Sequence, residues 1–251
     1  MQDLKEVKFE IRDRIAWITL NRPQKLNSYT DHTLVELIEI WKEVDQNPEI
    51  LVAIITGEGR AFCAGHDMGE LKDLNEEPPS LHYRTIEIYK PLIAAVNGAA
   101  LGGGASLAWA ADIRIASENA SFGYPQPAKG VMSVGGHNWL PRMTFRGKAF
   151  AMMLTGEIID AKEAYRVGLV EKVVPHDQLV AETEKMAKRI CANAPLAVRY
   201  TKEALLRAER VPFNEGIRLA NMLFARLLAT EDAKEGVKSF QEKRAPVWKA
   251  R

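Results

Sequence analysis

Ile93-Ala94-Ala95-Val96-Asn97-Gly98-Ala99-Ala100-Leu101-Gly102-Gly103-Gly104-Ala105-Ser106 joins an apolar run to a triple glycine and then to a helix-like pattern, and its reading decides the fold. Continued to Ala116 it is the longest apolar tract in the chain, but Asn97, Gly98, the three glycines, Asp112 and Arg114 interrupt it. A membrane span would leave those charges in hydrocarbon. The tract therefore reads as buried core: a strand over 92–96, a glycine turn, a helix over 105–111 and a further strand over 113–116.

Upstream, 7–11 and 15–20 alternate about the charged turn Arg12-Asp13-Arg14, the pattern of a hairpin. Thr30 stands where it caps a helix carrying Leu34, Leu37, Ile38 and Trp41 at helical spacing. The run 51–55 reads as a buried strand ending at Gly57-Glu58-Gly59, and 75–80 as an exposed loop. Downstream, helical patterns cover 161–167, 176–192, 195–209, 213–229 and 231–242. Short buried strands separated by helices or loops imply an α/β core with a largely parallel sheet. The expected division is a core over 1–190 and a helical lid or oligomerisation region over 191–251.

The formal charge of +1, from 34 basic and 33 acidic residues, gives no overall pull toward nucleic acid or an anionic membrane. Arg142, Arg146 and Lys148 beside Trp139 and Phe145 read as a solvated helix end. Two cysteines, Cys63 and Cys191, support neither a disulfide framework nor a cysteine metal site. The charged residues 1–10 lack the apolar stretch of a secretory signal. A cytoplasmic setting is expected.

Two segments look constrained by more than packing. Gly59-Arg60-Ala61-Phe62-Cys63-Ala64-Gly65-His66-Asp67-Met68 follows a buried strand, and Asn97 to Ser106 links a strand to a helix start. Glycine lets main-chain N–H groups approach a ligand, and a helix N-terminus adds free donors and a positive dipole end. An oxygen gaining negative charge fits such a place. Taken alone, a triple glycine at a helix start more often serves close packing. A dinucleotide fingerprint is excluded, because Leu107 stands where its third glycine is needed, and there is no Walker lysine–serine pair.

In this order the two segments resemble the enoyl-CoA hydratase/isomerase (crotonase) family. Thr19-Leu20-Asn21-Arg22-Pro23 with Lys25-Leu26-Asn27-Ser28 is similar to the family's opening motif, 61–67 to its first oxyanion loop and 94–104 to its second. Asp112-Ile113-Arg114-Ile115-Ala116, Ala120-Ser121-Phe122-Gly123, Ala194-Pro195-Leu196-Ala197 and Phe240-Gln241-Glu242-Lys243-Arg244 extend the likeness over nearly the whole chain. The resemblance implies a spiral of ββα units with a C-terminal helical region. It implies an acyl-coenzyme A substrate, no cofactor beyond that CoA, and a homotrimer or hexamer without nucleic-acid or membrane partners. It makes the N–H groups of His66 and Gly103 the oxyanion donors. Lys25, Leu26, Ala64, Asp67 and Met68 would cradle the CoA, with Phe240 and Lys243 near its head group.

The family's two catalytic glutamates fall, by the same resemblance, on Ser106 and Gln126. An amide does not titrate near neutrality, and a hydroxyl is a feeble base without another to activate it. The standard hydration and isomerisation mechanisms are therefore not expected unchanged. His82 is the further catalytic candidate; the His66 side chain, Tyr83, Tyr124, Ser133, His137 and the loop acids Glu70, Asp73, Glu76 and Glu77 are the others weighed. The expected function is an enzyme of acyl-CoA chemistry acting through an enolate or oxyanion. The alternatives are decarboxylation or hydrolysis of an acyl-CoA, or binding without catalysis.

Overall fold

The computed structural model describes residues 4–69, 88–133 and 135–251. The chain opens with β1 (Val7–Arg12), β2 (Ile15–Leu20), α1 (Asp31–Gln46), β3 (Val52–Gly57) and β4 (Ala61–Cys63). After the undescribed stretch come β5 (Leu92–Val96), β6 (Ala99–Leu101), α2 (Gly103–Ala110), β7 (Ile113–Ser117) and β8 (Ser121–Gly123). Then follow α3 (Gly136–Met143), α4 (Arg146–Thr155), β9 (Ile158–Asp160), α5 (Ala161–Arg166) and β10 (Lys172–Val174). Four helices finish the chain: α6 (Leu179–Cys191), α7 (Pro195–Ala208), α8 (Phe213–Leu228) and α9 (Glu231–Glu242).

The strands form two sheets. The larger is ordered β1-β2-β3-β5-β7-β10 and is parallel from β2 onward; the smaller is ordered β4-β6-β8-β9. In each of the pairs β3/β4, β5/β6 and β7/β8 the first strand joins the large sheet and the second the small one. The chain thus winds as the expected spiral of two-strand units, with α2 completing the unit of β5 and β6. Asp13 and Arg14 both take positive φ, 52° and 64°, as a two-residue primed hairpin turn requires.

The large sheet is apolar on both faces, which is why its strands read as nearly unbroken hydrophobic runs. Ile15, Trp17, Val52, Ile54, Ile93 and Ala95 meet Leu179 and Ala187 of α6. Their alternating neighbours Ile18, Leu20, Ile55, Ala94 and Val96 join the main core with Leu37 and Trp41 of α1 and Trp109 of α2. Thr30 caps α1 as expected: its Oγ1 accepts the Thr33 N–H at 3.1 Å, and the Thr33 Oγ1 accepts the Thr30 N–H at 2.9 Å. Both hydroxyls also donate to the Glu6 carboxylate. Glu36 of α1 accepts the N–H groups of Lys5, Glu6 and Val7, fixing the entry to β1.

The small sheet has no counterpart in the sequence expectations. Its strands are three residues each, too short to display the period-two signal by which strands are recognised. Of the helices α3 and α4 the sequence showed only the helix end at Arg142, Arg146 and Lys148, which falls where one stops and the other starts. At the other end, α7 packs against α8, and the terminal segment folds back: the Trp248 indole donates to the Ala192 carbonyl, and the Lys249 and Ala250 N–H groups to Asp232.

Two measurements test this architecture. A Cβ on Gly98 would stand 2.0 Å from the Arg60 carbonyl, whereas one on Gly147 of α4 meets nothing within 4 Å. Gly98→Ala is expected to cost on the order of 3 kcal/mol in denaturant unfolding, and Gly147→Ala to be neutral or stabilising by up to about 1 kcal/mol; equal effects would contradict the packing. Burial alone would raise the Glu6 carboxyl, but hydrogen bonds from Thr30 and Thr33 and the Arg22 charge outweigh it and hold the group below the ordinary range. A depressed folded value gives stability that is present above the unfolded value and lost as pH falls through the folded one. Melting curves of the unmodified protein and Glu6→Gln should therefore differ most above about pH 5 and converge only as the pH falls through the depressed folded value. A gap constant across that range would remove the ionised Glu6 from the account.

Candidate active site

The loop after β3 is built from beneath by two asparagines. Leu26 and Asn27 follow a 3₁₀ turn, Pro23–Lys25, and take left-handed φ of 51° and 54°, which swings the Asn27 amide under the loop. The Asn27 Nδ2 donates to the carbonyls of Glu58 at 2.9 Å and Ala61 at 2.7 Å, and its Oδ1 accepts the Arg22 N–H at 3.0 Å. From the end of β5, the Asn97 Nδ2 donates to Gly59 at 2.8 Å and Ala61 at 3.2 Å, while its Oδ1 accepts the Gly57 N–H at 3.2 Å. Both side chains are buried. An amide suits this place because it offers two donors and an acceptor at one point.

Above them, 64–67 is sewn to 26–29. The Ala64 N–H donates to Leu26 at 3.0 Å, the Tyr29 N–H to Gly65 at 2.9 Å and the Asp67 N–H to Tyr29 at 2.9 Å, a parallel bridge between Tyr29 and His66. In such a bridge the intervening residue's own N–H points the other way. The N–H of His66 has no acceptor among the described residues. The Gly103 N–H is in the same condition at the first turn of α2, whose first internal bond runs from the Ser106 N–H to the Gly102 carbonyl at 3.1 Å.

The glycines let these two donors meet. Gly65, at φ +100°, approaches β6 so closely that a Cβ would lie 2.9 Å from the Leu101 carbonyl and 3.5 Å from the Gly103 nitrogen. A Cβ on Gly103 would lie 2.2 Å from the Tyr29 hydroxyl, and one on Gly104 2.0 Å from the Cys63 carbonyl. Close packing and donor placement, separate readings of the triple glycine, are thus one arrangement here. The helix start adds its positive end beside both groups.

Around them stand the uncharged side chains of Ser106, Tyr124 and Gln126, with the imidazole of His66. The Ser106 Oγ lies 3.0 Å from the Tyr124 hydroxyl, both residues being buried. Burial pushes the Tyr124 phenol well above its ordinary range, so it stays protonated. A Cβ on Gly135 would sit 2.6 Å from the Ser106 Oγ, so the Gly135 backbone abuts that hydroxyl on one side. The Gln126 amide presses against Gly102, and its Oε1 is buried without a hydrogen-bond partner among the described residues. The His66 imidazole packs edge-on to the Tyr29 ring; among the described residues its buried nitrogens make no hydrogen bond, and Nε2 lies 3.9 Å from the Asp31 carboxylate.

Of the residues expected at a CoA cradle, Leu26 and Ala64 are joined by their own hydrogen bond, Lys25 is exposed beside them and Met68 keeps 51% of its surface. The Asp67 carboxylate faces inward, taken by Arg22 and by the Gly69 N–H. Phe240 and Lys243 lie on and just after α9, with no side-chain hydrogen bond or ion pair to these loops. The Lys202 ammonium binds Asp112 at 2.6 Å and the Lys90 carbonyl at 2.8 Å, at the end of the sheet opposite the glycine loops. His137 is exposed on α3, bonded to the Ser133 carbonyl. His82, Tyr83 and the acids Glu70, Asp73, Glu76 and Glu77 lie outside the described residues. Tyr29, Arg22, Asn27 and Asn97 were not foreseen as builders of the site, although every one sits in or beside a quoted motif. Among the described residues no His, Cys, Asp and Glu side chains gather as a metal site, and no helix is long and apolar enough to cross a membrane.

The family model described as Enoyl-CoA hydratase/isomerase matches residues 10–251. The (E)-benzylidenesuccinyl-CoA hydratase of Thauera aromatica is 39% identical, the match covering 97% of this chain and 98% of that protein. The short-chain-enoyl-CoA hydratase of Clostridium acetobutylicum is 37% identical over 96% of this chain and 97% of its own. The crystal structure of an enoyl-CoA hydratase from Mycobacterium tuberculosis superposes with a TM-score of 0.93 at 33% identity, covering 98% of this chain and 99% of that one. Together with the two-sheet spiral and its paired glycine loops, these likenesses establish that the chain belongs to the enoyl-CoA hydratase/isomerase (crotonase) family of acyl-CoA enzymes.

Proposed function

We propose that the N–H groups of His66 and Gly103 form an oxyanion hole for the thioester carbonyl of an acyl-CoA, and that the reaction passes through an enolate without a protein carboxylate pair. The observation that carries this is the pair of main-chain donors left without acceptors where Gly65 closes on Gly103. The carbonyl oxygen gains charge as the enolate forms, so donors fixed in advance act more strongly on the transition state than on the substrate; each is worth roughly 3 kcal/mol. Because the donors are main-chain groups, the side chain at 66 is not needed for them.

Ser106 and Gln126, which by family resemblance stand in place of the two glutamates, hold the acyl part or a water and do not exchange protons. The closed contact of Ser106 with Tyr124, and the amide nature of Gln126, support this. The same features favour a second reading, a decarboxylase or hydrolase, in which the leaving carboxylate or a water replaces the protein base. The CoA of the substrate is the only cofactor in this proposal, with Lys25, Leu26, Ala64, Asp67 and Met68 at its cradle. Phe240, 85% exposed, and Lys243 serve the head group in an assembled homotrimer or hexamer, which also covers exposed Phe213, Phe224 and Leu228. We place the enzyme in the cytoplasm, without a nucleic-acid partner.

Purified protein should be assayed against crotonyl-CoA, (E)-benzylidenesuccinyl-CoA, a malonyl-type thioester and a β-ketoacyl-CoA. We expect slow hydration of crotonyl-CoA and turnover of at least one other substrate. Rapid hydration of crotonyl-CoA would show that the acid–base pair had been misjudged, and tight binding with no turnover of any would mean a binding protein. Gln126→Glu, which is nearly isosteric, should raise crotonyl-CoA hydration at least about 10-fold. Ser106→Glu alone should not, since Tyr124 and Gly135 crowd the hydroxyl that its longer side chain replaces.

A further inference from the structure

One guanidinium holds both sides of the Tyr29–His66 bridge. The Arg22 Nη1 donates to the Ser28 carbonyl at 2.5 Å and its Nη2 to the Asp67 Oδ2 at 3.0 Å, while its Nε lies 3.3 Å from the Glu6 Oε1. Ser28 precedes Tyr29, and Asp67 follows His66. Arg22 therefore grips the two bridged segments one residue from the bridge, on the side away from the His66 N–H. The side chains of Arg22, Glu6 and Asp67 keep only 13%, 19% and 11% exposure, so solvent screens them little. Asp67 is fixed a second time by the Gly69 N–H, at 3.1 Å to its Oδ1.

We infer that Arg22 is a positioning residue of the reaction: by clamping Ser28 to Asp67 it sets the aim of the His66 N–H at the thioester oxygen. The inference rests on reading His66 and Gly103 as the oxyanion donors. A hydrogen bond weakens steeply once its angle departs from linear, and the carbonyl demands most of the donor when its charge is greatest. A misaimed donor therefore lowers kcat more than it weakens CoA binding. A lysine at 22 keeps the charge but lacks the planar fork that reaches Ser28, Asp67 and Glu6 together.

The test uses the full chain and a chromophoric thioester, 4-(dimethylamino)cinnamoyl-CoA, whose absorption moves to the red when its carbonyl is polarised. Unmodified protein should give that red shift on binding. Arg22→Lys should lose at least half of the shift and about 10-fold in kcat on whichever substrate is turned over, with affinity for free CoA changed less than about 3-fold. Should Arg22→Lys fail to fold, Glu6→Gln, which removes the charge opposite the Arg22 Nε and lies outside the CoA cradle, should move the shift in the same direction, and an unchanged shift in a folded variant would overturn the inference. No red shift in the unmodified protein would instead remove the oxyanion reading, and with it this role for Arg22.

Discussion

The bridge between Tyr29 and His66 is the constraint on which the site depends. Three main-chain hydrogen bonds tie 64–67 to 26–29, and their alternation turns the His66 N–H away from 26–29. Tyr29 carries the second half of the arrangement, because its ring lies where Gly103 would need its Cβ. One residue thus orients the first loop through its backbone and sets the distance of the second through its side chain. Buried and held neutral, it adds no charge beside the two loops.

Polar groups that would be costly to bury alone are here each answered by a partner. Asn27, from the turn after Pro23–Lys25, and Asn97, just past β5, converge on the Ala61 carbonyl. Glu6, Arg22 and Asp67 form a chain of charges from β1 to the first loop. A buried charge without its partner is expensive, so these contacts specify one loop conformation more than they add net stability. Near the glycine loops the exceptions, among the described residues, are the Gln126 Oε1 and both His66 nitrogens, which are buried without a hydrogen-bond partner.

Five strands of the large sheet, β1, β2, β3, β5 and β7, were legible because they run for five or six residues of alternating or continuous apolar character, whereas its three-residue edge strand β10 was not. The four strands of the small sheet were not, since three residues carry no period. The site divides along the same line. Gly65, Gly102 and Gly103 announce themselves in sequence, because only close approach or a positive φ requires glycine in such a run. Arg22 and Asp67 lie 45 residues apart, and nothing local distinguishes their ion pair from a pair of solvated charges. Tyr29 looks like any apolar residue preceding a helix cap. The partnership of Ser106 with Tyr124 likewise requires that β8 return beside α2, which no single segment records.

Cys63 has a consequence of another kind. Its thiol ends β4 under the first turn of α2, fully buried and pushed up to about 12, and the Gly104 backbone covers the adjoining carbonyl. A thiol that is neither ionised nor reachable does not react while the two loops stay closed. Its alkylation can proceed only from conformations in which α2 has lifted from β4. The rate at which Cys63 takes up a small reagent is therefore a clock for opening of the catalytic centre, one written into the wall of the site and requiring no label on either loop.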